Sequence, residues 1–303
     1  MPVPPSGAQL EITHGDQAAT VVEVGAGLRA YSRAGRQVIE PYAVDAMADG
    51  AHGATLVPWP NRLEDGRYTW DGTEHQLALT EPGKQNAVHG LLRWVPWRVT
   101  EATAASATLR TLLPAQQGYP FTLEVSVRYS LGNGGLTVTT SATNVGTAAA
   151  PFGVGHHPYL SPGAGTIDAC LLQVTGATRV LTDPERQLPT GTEAVAGTPY
   201  DFREPRPLGA LQVDHAFADL DRDGDGRAWV RLTGQDGATA ALWVDESYRY
   251  LEVFTGDTLE PGRRRTGLGA EPMTCPPNAF RTGTDVHRLE PGRSVAYAWG
   301  LTL

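Results

Sequence analysis

The chain has 303 residues, with 35 Gly and 23 Pro spread along it and a formal net charge of −9. That length suits one large all-β domain or two ordinary ones, while scattered negative charge excludes the basic patches that nucleic acid or anionic membranes need and counts weakly against a strongly anionic substrate. Cys170 and Cys275 read as reduced, partly buried thiols; with no basic n-region or apolar h-region in MPVPPSGAQLEITHGD and no apolar run long enough for a bilayer, a cytoplasmic location is expected.

Period-two alternation recurs along the chain and predicts strands. Tyr68-Thr-Trp70 and Gln76-Leu-Ala-Leu79 flank Asp71-Gly72. Leu123–Leu131 alternates strictly and is followed by Leu136–Thr140 across Gly132-Asn-Gly-Gly135, a strong hairpin signal. Ala228–Leu232 and Ala240–Val244 flank Asp236-Gly237, and Tyr248–Thr255 and Val295–Leu303 read as long strands. No stretch sustains a helical period, Gly262–Gly269 reads as loop, and neither a repeat nor a low-complexity linker is present. The expected architecture is one all-β domain over 1–303, a large antiparallel β-sandwich whose loops and concave sheet face carry function.

Polar islands interrupt this pattern. Pro58-Trp-Pro-Asn-Arg-Leu63 holds Trp59, Asn61 and Arg62 in a stiff loop; a flat apolar ring and fixed donors suit a sugar, although a surface loop would look the same. His89, between Val88 and Gly90, is either structural or functional. His156 and His157 are adjacent and so point to opposite faces of an extended chain; no other His or Cys cluster has zinc-like spacing, so a single imidazole moving protons is the economical reading and no metal is expected. Asp214 could accept a hydroxyl or hold a turn. Glu271 is the lone charge in Gly269–Phe280, which points either to burial, with a raised pKa, or to a loop cap. Asp221–Gly226 starts like a calcium loop but has Leu232 at the twelfth position, which favours an acidic turn.

In order, Asn61-Arg62, His89-Gly90, His157-Pro-Tyr-Leu160, Asp214-His215, Glu271 and Pro291-Gly292 resemble the aldose 1-epimerase (galactose mutarotase) family over nearly the whole chain. The resemblance implies a β-supersandwich with an open cleft, Glu271 as base, His157 as acid, sugar binding by Arg62, His89 and Asp214, and no cofactor. Asn61 is placed with the sugar-binding group, and Trp59 is expected to offer stacking. The implied partner is a monosaccharide, with the chain as monomer or homodimer. Pro-Tyr-Leu replaces the Ser-Tyr-Phe of the best-known members and Glu-Pro-Met replaces Glu-Thr-Gln, which marks a divergent bacterial branch and leaves the sugar open. Alternatives are a hexose-6-phosphate 1-epimerase using Arg263-Arg264-Arg265 as phosphate clamp, a non-catalytic carbohydrate-binding module, and a glycosidase or lyase using Asp214 as second carboxylate.

Overall fold

Alternation becomes burial in the computed structural model, which describes residues 3–303. Leu123–Gly132 and Gly135–Asn144 pair antiparallel with Gly132 opposite Gly135. On the first strand Leu123, Val125, Val127, Tyr129 and Leu131 are buried, and the residues between them are not. Gly135 has φ 113°, and a Cβ there would lie 2.2 Å from the Leu301 carbonyl oxygen, so this turn requires glycine.

The hairpin sits within a nine-stranded antiparallel sheet. Its order is Arg98–Ala102, Ser106–Leu113, the two hairpin strands, Ser294–Thr302, Thr239–Val244, Ala228–Thr233, Leu171–Val174 and Arg206–Pro207. The facing sheet runs Pro189–Ala194, Gly176–Thr182, Asp214–Leu220, Tyr250–Phe254, Leu268–Met273, Gly155–His156 and Thr55–Leu56, with Tyr159–Leu160 also pairing onto Leu268–Met273. A four-stranded meander, Gln9–His14 to Arg36–Gln37, precedes them.

One hydrophobic cluster spans both large sheets: Val125, Val127 and Leu242 from the first meet Phe217, Leu251, Val253 and Ala270 from the second. This is the expected antiparallel sandwich. Among the described residues the only α-helical segment is the single turn Ala279–Thr282.

Two predicted strands are shorter than expected. After Gln76 the ladder stops, because its partner turns away at Asp65-Gly66; Leu77 still donates to the Gly66 carbonyl, and Ala78 and Leu79 have no strand opposite. Tyr248 belongs to a turn, donating its backbone N–H to Asp245, so the strand begins at Tyr250.

Candidate active site

Strand register assembles the site. Glu252 stands directly across from Glu271, and Ala216 directly across from Glu252, on three adjacent strands. Asp214, two residues before Ala216, shares their face. Asp214, Glu252 and Glu271 therefore point away from the core, while Phe217, Leu251, Val253 and Ala270 point into it. The same alternation separates the paired histidines. His156 faces the core, where its Nε2 meets Thr140 Oγ1 of the opposite sheet at 2.8 Å. His157 turns to the other face, and its Nε2 lies 3.1 Å from Glu271 Oε1. His215 likewise turns from Asp214 and receives the Arg179 guanidinium at 2.8 Å.

Glu271 and His157, which are 2% and 5% exposed, form part of the wall of a cleft of about 220 Å³. The cleft is also lined by Asn61, Arg62, His89 and Asp214, so six of the seven residues singled out in the sequence converge. The exception is Trp59. It is 3% exposed, belongs to the hydrophobic cluster and packs against Phe280 at a ring distance of 5.5 Å. The stacking surface expected of Trp59 is buried, because the Pro-flanked loop turns its apolar ring inward and leaves the polar residues after it at the cleft.

Two left-handed residues build that loop. Asn61 has φ 56° and His89 has φ 63°. The His89 N–H donates to the Asn61 carbonyl at 3.0 Å, and the Asn61 N–H donates to His89 Nδ1 at 3.2 Å. His89 Nδ1 is thus an acceptor, which leaves the proton of the neutral ring on Nε2. Gly90 follows because a Cβ there would lie 2.1 Å from the Val57 carbonyl oxygen. Arg62 makes a two-point contact with Glu81, Nε to Oε2 at 3.0 Å and Nη2 to Oε1 at 3.2 Å. Gln187 donates to Asp214 and accepts from Lys84.

Burial governs protonation here. It lowers His157 to about 3, assisted by His52 and the Arg93 and Arg62 charges. It raises Glu271 well above the usual carboxylate range, with the Asp214 charge adding to the shift and Arg62 opposing it. Both directions favour a carboxylic acid hydrogen-bonded to neutral imidazole. The sequence reading expected a carboxylate and an imidazolium; the two forms are tautomers of one pair holding one proton, related by its transfer across the 3.1 Å contact.

Glu252 was missed by the sequence reading. Its isolation in Tyr250-Leu-Glu-Val-Phe254 is the same signal that marked Glu271. It is 4% exposed, accepts from Asn61 Nδ2 at 3.3 Å, and is raised well above its ordinary range by burial and then by Asp214 and Glu271. It is best described as a neutral acid donating to Asp214. Tyr159, also missed, stacks on His157 at 5.0 Å and on His52 at 3.6 Å.

The arginine triplet is committed elsewhere. Arg263 donates to Asp49 Oδ1 at 2.9 Å and to His52 Nε2 at 2.8 Å, Arg265 pairs with Asp168 and Asp257, and Arg264 donates to the Leu259 carbonyl. None of the three lines the cleft. At the acidic turn, Asp223 accepts from the backbone of Asp225 and Arg227 and from Trp229 Nε1 at 2.7 Å.

The family model described as "Aldose 1-epimerase" matches residues 8–301. An uncharacterized protein of Escherichia coli K12, YihR, is 37% identical over 289 residues, spanning 95% of this chain and 91% of its own. Galactose mutarotase from Rattus norvegicus is 32% identical over 220 residues, 69% of this chain and 60% of its own. Among solved structures, galactose 1-epimerase from Lactobacillus acidophilus superposes with a TM-score of 0.82 at 20% identity, over 97% of this chain and 93% of that one. An aldose epimerase homologue from C. elegans gives a TM-score of 0.86 at 18% identity, over 97% and 98%. The structural likenesses carry the fold, the sequence matches carry the kinship, and together they establish that the chain belongs to the aldose 1-epimerase family.

Proposed function

We propose that the chain interconverts the α and β anomers of a free aldose, with Glu271 and His157 moving the protons and no cofactor taking part. The observation that carries this reading is the 3.1 Å approach of His157 Nε2 to Glu271 Oε1 in the wall of the cleft, with Glu271 Oε2 and His157 Nδ1 lacking a hydrogen-bond partner. A ring opening of this kind moves protons at two oxygens borne by one carbon, the C1 hydroxyl and the ring oxygen O5, so its acid and base must stand side by side.

In the reacting tautomer Glu271 takes the C1 hydroxyl proton as His157 gives one to O5. The C1–O5 bond breaks, leaving the open-chain aldehyde. Rotation about C1–C2 presents the other carbonyl face. Reclosure then returns both protons, the two residues having exchanged roles. Neutral His89, with its proton on Nε2, and Arg62 supply donors for sugar oxygens and for charge developing on them. Asp214, held by Gln187, accepts from hydroxyls and fixes orientation.

Polarimetry or NMR on freshly dissolved α-aldoses, with the uncatalysed rate subtracted, tests the reading. Faster approach to anomeric equilibrium is expected for at least one neutral or charged aldose. Sugar binding without acceleration would leave a carbohydrate-binding module and overturn the proposal.

A further inference from the structure

Two of the groups proposed to bind sugar, Asp214 and Arg62, are tied to a turn that lies outside the cleft lining. The turn spans residues 183–188 and joins Gly176–Thr182 to Pro189–Ala194, the hairpin at one edge of the facing sheet. Its shape is fixed from within. The Asp183 carboxylate accepts from the backbone N–H groups of Glu185 at 3.0 Å, Arg186 at 2.6 Å and Leu188 at 2.9 Å. Below the turn the ladder slips: Leu181 faces Gly191 but Thr182 faces Pro189, which leaves Thr190 over. A bulge of this kind bends the strand and re-aims what it carries.

Arg186 clasps the turn to a segment about a hundred residues earlier in the chain. Its Nη2 donates to Asp65 Oδ1 at 2.8 Å and to Asn86 Oδ1 at 3.2 Å, and its Nε donates to the Lys84 carbonyl at 2.9 Å. The Asn86 amide donates back to the Arg186 carbonyl at 2.9 Å and reaches Glu81 Oε2 at 3.1 Å, the oxygen that also holds Arg62 Nε. The next residue, Gln187, has φ 56° and sets its amide between Lys84 and Asp214. An ammonium only donates and a carboxylate only accepts, so the amide can sit one way round, oxygen to Lys84 and nitrogen to Asp214. Gln187 thereby occupies Asp214 Oδ2 from a fixed direction. The acceptor sites left on that carboxylate are aimed as well, and a sugar hydroxyl contributes binding only where it meets them.

We propose that Gln187 is a positioning residue which, clasped by Arg186, orients Asp214 towards one ring hydroxyl of the sugar and so sets which hydroxyl the cleft selects. This deepens the aldose 1-epimerase reading and rests on it. Gln187 touches neither Glu271 nor His157, so its contribution falls on sugar binding and leaves the proton transfers alone.

The test measures anomer exchange on glucose, on glucose 6-phosphate and on the 2-, 3- and 4-deoxy forms of each, so that both a free and a phosphorylated series are covered. Gln187→Met keeps the length of the side chain and removes its amide. In whichever series the wild-type chain accelerates, this variant should raise KM for the parent sugar about 10-fold, the worth of one hydrogen bond to a charged group, with kcat kept within about threefold. For one deoxy sugar, the one lacking the hydroxyl that Asp214 holds, the KM values of wild type and variant should coincide, while the other two keep the difference. Arg186→Met should give the same pattern at smaller size. Gln187→Glu, which keeps the contact to Lys84 but faces Asp214 with a charge, should give a larger rise, and it carries the test if the methionine variant does not fold. An unchanged KM, or a rise equal across the parent and all three deoxy sugars, overturns the positioning role while leaving the epimerase reading standing. Acceleration in neither series by the wild-type chain removes both.

Discussion

The Glu252→Gln substitution tests the electrostatic description of the site directly. In the native chain a protonated Glu252 accepts from Asn61 Nδ2 and donates to Asp214. Glutamine reproduces both contacts, its carbonyl towards Asn61 and its amide N–H towards Asp214, without the ability to ionise. The consequence for stability follows from proton linkage. Glu252 has an ordinary pKa of 4.5 and is raised well above it in the folded chain. Above 4.5 the unfolded chain has released this proton while the folded chain keeps it, so the native glutamate loses stability as pH rises towards its folded pKa. The advantage of the glutamine variant should therefore grow as pH rises from 4.5 towards the folded pKa of Glu252. Urea unfolding followed by tryptophan fluorescence at pH 4.5 and pH 6.5 measures the difference. A variant destabilised at both pH values, or a difference that does not grow with pH, would refute the assignment of Glu252 as a neutral acid.

Other outcomes bear on the reaction and the core. Glu271→Gln and His157→Ala should each lower kcat by roughly 10²- to 10⁴-fold, the range for lost acid–base help; near-normal turnover in either removes that residue from the mechanism. Arg62→Ala should raise KM, because Arg62 is held against Glu81 with its face to the cleft, and an unchanged KM would place it outside sugar binding. Trp59→Ala should cost about 3–5 kcal/mol of stability, as expected for an aromatic ring removed from a core; a stable variant with weakened sugar binding would restore the stacking role. His157 is lowered to about 3 by burial, so its ring proton signals should not move between pH 7 and pH 5 in NMR of the sugar-free chain, and a titration centred near 6.5 would contradict a buried neutral ring.

Much of the site was legible because its members break the local pattern in ways that physics notices at short range. Glu271 is a single charge among apolar residues, and His157 follows a neighbour that alternation must send the other way. Glu252 carries the same signal within a strand, and went unread because the strand pattern around it was so regular. Trp59 was misplaced for a different reason. Its loop shows an aromatic ring next to Asn and Arg, and nothing within six residues says that Phe280, more than two hundred residues later, will cover it.

By itself, then, the order of residues determined the class of fold and the hairpins, since period-two burial and turn chemistry act over a few residues, while the polar groups of the cleft stood out as islands whose roles only the family resemblance suggested. Tertiary structure decided which strands lie side by side, and therefore that Asp214, Glu252 and Glu271 form one row. It decided that Arg263 and Arg265 are consumed by Asp49, Asp168 and Asp257. It also decided where the protons rest. Burial and charge pairing depend on neighbours brought in from distant parts of the chain, and no local spacing encodes them.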